Sequence, residues 1–290
     1  MPALVAARMD FHHGPFVLTG AWQIGGDDPA VGNYSALGVL ADGDLVSLSD
    51  RGALLTMTRP DRPGPWRVRN APLFPRYGAF AATHSDGEAL IVLPPHDDYL
   101  MMMESTPDVL RFSHDLRGFA RITIPALAAW PDNLGPEASA RLRDGRTVMI
   151  EEGYRRWWDR TGHDALIFPG LPRDGESPAH CSVIMPAGWR PTELTAMPDG
   201  TLLLLERKVT PRGFLSAIAV IDPLAIRPGA TVRPRTVATI TEPAIRDNYE
   251  GMTITRERDG ALILWVISDS NAMVWLQRTL LLKFRIVQHP

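Results

Sequence analysis

The chain has 290 residues, 45% of them hydrophobic and 22% charged, so it can bury a substantial core in one domain or two. A net charge of −3 argues against nucleic acid as the main partner, and no apolar run approaches the roughly 20 residues a membrane helix needs. Cys181 is the single cysteine, which excludes an intrachain disulfide.

The first fifteen residues, MPALVAARMDFHHGP, lack the apolar stretch of a signal peptide, so the chain is either cytoplasmic or was once preceded by a leader. Phe16–Ile24 then reads as a strand without a hairpin partner of its own. From Ser35 onward one pattern recurs. Ser35–Asp50 turns at Asp42-Gly43, and Glu88–Glu104 turns around His96-Asp97-Asp98. Glu137–Glu152 turns at Asp144-Gly145, Glu193–Glu206 at Asp199-Gly200, and Glu250–Asp269 at Asp259-Gly260. Asp-Gly between β-branched or apolar runs is a hairpin signal. In every unit the turn lies midway between the two end residues, and all of those ends except Ser35 are acidic.

Each unit is followed by further short strands, which gives repeats of roughly 50 residues, the spacing of propeller blades. The predicted fold is therefore all-β: a β-propeller of five four-stranded blades. The last repeat has only three strands before the chain ends, and the orphan Phe16–Ile24 supplies its fourth, closing the ring without an open edge. Residues 1–13 form a tail and 14–290 a single domain. Six blades require another sheet within Gly153–Ala187, a strand-poor stretch. A β-sandwich of hairpins is the other architecture compatible with the pattern.

In an antiparallel pair the start of one strand lies beside the end of the next, so the acids gather at the open end of each hairpin. In a propeller, Glu88, Glu137, Glu193 and Glu250 start inner strands and converge on the channel mouth. Asp50, Glu104, Glu152, Glu206 and Asp269 form an outer ring. Crowded carboxylates repel and take up protons unless a cation intervenes. An all-oxygen set suits Ca²⁺ first and Mg²⁺ second, and there is no His or Cys cluster of zinc spacing. Glu88, Glu137, Glu193, Glu250 and Asn248 are the expected metal ligands. The competing reading is architectural, with carboxylates capping backbone N–H groups or pairing with Arg51 and Arg207, and it is favoured for the outer ring.

The loop after Glu152 carries Arg155, Arg156 and Trp157, and Arg246 lies in another loop of the same face. A basic rim around an acidic centre suits a small anionic substrate. The alternative is a solvated loop whose tryptophans pack on a neighbouring blade. His84 and His163 are placed to move a proton, as is Glu250, although a lone surface histidine is more often incidental.

Asn33-Tyr-Ser-Ala-Leu37 with Leu48-Ser-Asp-Arg-Gly52, Asp86-Gly-Glu-Ala-Leu90, Pro191-Thr-Glu-Leu194 with Leu205-Glu-Arg207, and Asn248-Tyr-Glu-Gly-Met252 with Ser268-Asp269 resemble the blade motifs of the bacterial phytase-like family, described as carrying an esterase-like activity of phytase. The resemblance spans roughly Leu18 to Ile286. It implies a periplasmic or secreted propeller whose repeated acids carry phosphoester hydrolysis. Where the family has an Arg-rich segment in its second blade, this chain has Glu104-Ser-Thr-Pro-Asp108. The expected activity is metal-dependent hydrolysis of a small anionic, phosphoric ester. The rivals are a lactonase or carboxylic esterase of the gluconolactonase and paraoxonase type, and a non-catalytic module that binds a ligand on its Trp and Arg face.

Overall fold

A computed structural model describes residues 12–25, 32–74, 86–132, 134–154, 158, 160–211, 213–269 and 278–290. Five antiparallel sheets are arranged as a five-bladed β-propeller. The inner strands are Tyr34–Val39, Gly87–Leu93, Ala138–Arg141, Arg190–Ala196 and Asn248–Arg256, one for each of blades one to five. Each packs against the next, and the last returns to the first.

The closing blade is the one expected. Phe16–Ile24 pairs antiparallel with Thr279–Ile286, from Phe16 opposite Ile286 to Ile24 opposite Thr279. His12–His13 adds a short strand outside it. The stretch 153–187 holds Gly162–Phe168 and Ala179–Ile184, which are the third and fourth strands of blade three rather than a sixth blade. Thr231–Val232 pairs parallel to the outer edge of that sheet.

The long apolar runs follow from burial on both sheet faces. Leu203 and Leu205 pack between blades four and five, whereas Leu202 and Leu204 pack between blades three and four. Corresponding clusters fill the gaps between blades one and two, two and three, and five and one. Period-two alternation therefore feeds two cores at once.

The hairpin turns share one local device. Gly43, Gly145, Gly200 and Gly260 take φ of +81°, +92°, +100° and +85°, where a side chain is strained. The preceding aspartates accept from the backbone N–H two residues on, at 2.8 Å for Asp42, 3.1 Å for Asp144, 2.9 Å for Asp199 and 3.0 Å for Asp259. In blade two Asp97 turns outward instead and accepts from Ala41 N of blade one at 3.0 and 3.1 Å.

Candidate functional site

At the open end of the hairpins the strands do not run in simple register. Each inner strand of blades one, two, four and five has one irregular residue near its start, and these are Ser35, Glu88, Thr192 and Glu250. A β-bulge re-aims the side chain it carries, here at the mouth. In blade three Glu137 lies just before Ala138, which is paired with Ile150. Two residues earlier in the chain stand Asn33, Asp86, Gly135, Arg190 and Asn248. Across the hairpin from these stand Asp50, Glu104, Glu152, Arg207 and Asp269.

This register corrects the pattern read from the sequence. Mirror symmetry about Asp199-Gly200 pairs Glu193 with Glu206, but Glu193 pairs with Leu205, one residue inside the bulge. The residues of blade four that occupy the mouth positions are Arg190, Thr192 and Arg207. Glu193 instead points into the channel, where Oε2 accepts from Leu37 N at 3.4 Å and Oε1 from Leu194 N at 3.0 Å. Burial raises its pKa well above the ordinary value. It lines a channel cavity of about 390 Å³ together with Leu37, Leu90 and Met252.

Arg207 decides what happens to three of the five expected ligands. Its side chain is buried, and it donates Nη1 to Asn248 Oδ1 at 3.0 Å and to Glu250. Nη2 reaches Glu152 at 2.7 Å and Glu137 at 3.9 Å. Asn248 Nδ2 donates to Glu250 Oε1 at 2.8 Å, and Arg190 adds a second cation on Glu152 at 3.1 Å. Glu137, Glu250 and Asn248 are thus engaged by a guanidinium. Glu137 and Glu250 are buried, which raises both pKa values, and Arg207 works against that rise.

Blade two has no such partner. Carboxylate oxygens of Asp86, Glu88 and Glu104 lie within 4.8 Å of one another. No cation is paired with any of the three among the described residues. All three pKa values are raised. For Asp86 the cause is burial. For Glu88 it is burial, then the charges of Glu104 and Asp86. Glu104 is pushed up to about 8 by burial and by its hydrogen bond and charge repulsion with Asp86. Carboxyls this close share protons because they cannot all ionise together. Glu88 was read from the sequence as a ligand, Glu104 was placed in the architectural ring, and Asp86 was missed as a site residue. On the neighbouring edge, burial raises Asp50 to about 6 against a hydrogen bond from Asn33 Nδ2 at 2.9 Å.

The remaining expectations divide. His163 is fully buried in blade three, with Nδ1 3.1 Å from the Glu151 carbonyl and its ring 5.1 Å from that of Tyr154. Burial lowers its pKa, so it is a neutral core imidazole and not a group facing the mouth. Arg246 is half-buried, two residues before Asn248, and forms no ion pair among the described residues. His84, Arg155, Arg156 and Trp157 lie outside the described residues.

The sequence from residue 29 to 272 matches the family described as phytase-like, esterase-like activity of phytase. The chain belongs to that family. No curated protein matches it. Among solved structures, the endo-arabinase of Bacteroides thetaiotaomicron VPI-5482 is similar, with a TM-score of 0.58 and 9% identity over 90% of this chain and 96% of the other. The PQQ-bound aldose sugar dehydrogenase of Streptomyces coelicolor has a TM-score of 0.54 and 12% identity over 98% of this chain and 100% of the other. At such identities the likeness is one of fold. Among the described residues no helix is long and apolar enough to cross a membrane.

The donor set of the blade-two cluster fits a hard cation. Three carboxylates converge, no nitrogen or sulfur donor joins them among the described residues, and each carries a raised pKa that a divalent ion would relieve.

Proposed function

We propose that this protein is a metal-dependent hydrolase of small anionic esters, phosphoric esters first, working at the blade-two side of the channel mouth. The observation that supports it is the contrast in charge. The carboxylates of blades three and five have Arg207, whereas among the described residues Asp86, Glu88 and Glu104 have only one another. These three would hold the ion, with Ca²⁺ preferred over Mg²⁺ for a flexible all-oxygen site. When bound, such an ion polarises the ester and offsets the negative field of the mouth.

The chain's own groups do the rest. Arg207 and Asn248 fix the orientation of Glu250, whose charge acts on Glu88 and which is the carboxylate left to take a proton from an attacking water. Arg246 supplies positive charge for the substrate anion on the same rim. A periplasmic or secreted location, implied by the family, belongs to the same proposal and is checked by fractionation of the native host.

The test is hydrolysis of p-nitrophenyl phosphate and bis(p-nitrophenyl) phosphate with Ca²⁺ and with chelator. Activity should require the ion and fall by roughly 10²–10⁴ in Glu250→Gln. Absence of divalent-ion binding by calorimetry would end the reading. A second reading draws on the excess of carboxylates over arginines at the mouth, which also tolerates a neutral ester. Turnover of a γ-lactone, with both phosphates untouched, would favour that lactonase.

A further inference from the structure

A cavity of about 160 Å³ opens beside the three carboxylates, between blades two and three. It begins where blade two's second strand ends, because Met103 and Ser105, the neighbours of Glu104, both line it. Gly135 is the wall shared with the acids. A methyl group there would lie 3.7 Å from Glu104 Cα and Cγ and 3.8 Å from Glu88 Cγ. A ligand group in the cavity is therefore one residue's thickness from the carboxylates.

Most of the side chains on the walls are apolar, Ser105, Thr106 and Asp132 add polar surface, and the frame is stiff. Leu127, from the 3₁₀ turn Pro125–Ala129, and Trp130 are both buried in the core between blades two and three. The Trp130 ring is held in place because its Nε1–H donates to Asp164 Oδ2 at 3.1 Å. Pro107, Pro131 and Pro136 complete the walls with fixed φ. Ser105, Ala128 and Asp132 are exposed and form the rim. A rigid cavity needs little ordering on binding.

Resting on the hydrolase reading, we propose that this cavity receives an aromatic ring of the substrate, so that the ester is one of a phenol. The size of the cavity fits a single ring, and among the described residues its walls offer an anion no cation. The cleaved bond is the P–O bond to the phenol oxygen, with water supplying the oxygen gained by phosphorus and the phenol leaving with a proton.

The experiment measures binding of phenol, phenylphosphonate and methylphosphonate to the full chain in Ca²⁺, by ligand-observed NMR and calorimetry. Wild type is compared with Ala128→Trp and Ala128→Phe, which fill the cavity from its exposed rim without removing a core contact. Phenylphosphonate should bind about tenfold or more tightly than methylphosphonate. Both variants should weaken phenol and phenylphosphonate by about tenfold, with methylphosphonate and Tm unchanged. Phenol that fails to bind, or binds both variants as well as wild type, overturns the proposal. Phenol binding that the variants abolish, with no phosphonate bound at all, upholds the aromatic cavity and removes the phosphoric-ester reading instead.

Discussion

Blades two and four place side chains at the same three backbone positions of the mouth and fill them with opposite charge. Blade two has Asp86, Glu88 and Glu104, and blade four has Arg190, Thr192 and Arg207. The strand geometry is shared, down to the one-residue bulge. What differs is whether a buried charge meets its opposite. Arg207 satisfies carboxylates of blades three and five, and nothing described satisfies those of blade two. A propeller can thus concentrate an electrostatic imbalance in one blade while its neighbours are neutralised.

The most severe way to break the comparison is Arg207→Leu, which leaves Glu137 and Glu250 buried without their cation and Glu152 with Arg190 alone. Removing one partner of a buried ion network costs roughly 3–5 kcal/mol. Urea unfolding at neutral pH should show that loss. It should be smaller at pH 5, where the Glu137 and Glu250 carboxyls, whose pKa values burial raises, can take up protons.

Glu206 comes next, and it tests whether adjacency in sequence implies pairing. It precedes Arg207, yet alternation sends its side chain to the other face of the strand, where Oε1 is buried without a hydrogen-bond partner among the described residues. Burial alone raises its pKa from 4.5 to about 7. Below pH 4.5 the group is neutral whether folded or unfolded, and no penalty applies. Between pH 4.5 and 7 the unfolded chain ionises first, so stability falls as pH rises, and above pH 7 the full penalty remains. Glu206→Gln should therefore flatten that slope and stabilise the protein at pH 8, on the order of 3 kcal/mol.

In blade two the corresponding change has two readouts. Glu104→Gln relieves a like-charge contact and should raise the stability of the chelator-treated protein by on the order of 1 kcal/mol. The same variant should lose the rise in Tm that Ca²⁺ gives wild type. A cation-dependent rise retained in Glu104→Gln would detach this carboxylate from the ion. Chelator-treated wild type should also lose stability as pH rises from 4.5 towards 8, since the Glu104 pKa is raised on folding.

The fold was legible because its signals are local and repeated. Asp-Gly turns fixed the hairpins, and the orphan strand Phe16–Ile24 matched the blade that lacked one. The site was legible only in part, for a reason that is also local. A count from the turn gives several mirror pairs in each blade and carries no information on which of them falls at the bulge. In blade two the count still put Glu88 and Glu104 at the mouth, while in blade four it chose Glu193 and Glu206 over Thr192 and Arg207. The motif Asp86-Gly-Glu already held the missed member of the carboxylate cluster. Its partner across the hairpin is Glu104, whose N–H donates to the Asp86 carbonyl at 2.9 Å. That pairing becomes visible only once the register is known. The proximity of Arg207 to acids from blades three and five is long-range, and no spacing within blade four encodes it.

Glu193→Gln gives the smallest expected effect and separates the two symmetries. If the acid–turn–acid count placed the ligands, losing this carboxylate would weaken Ca²⁺ binding as much as losing Glu88. If register places them, the residue is a buried cap on the N–H groups of Leu37 and Leu194. Burial holds its pKa well above the ordinary value, so a neutral amide of the same shape is a close replacement. The carbonyl oxygen of Gln can still accept from one of those groups, and the remaining loss is that of a single hydrogen bond, about 1 kcal/mol. The Ca²⁺ titration midpoint of Glu193→Gln should match wild type, while that of Glu88→Gln should shift beyond the measurable range. A shared loss in both would restore the symmetric ring of ligands and remove the special standing of blade two.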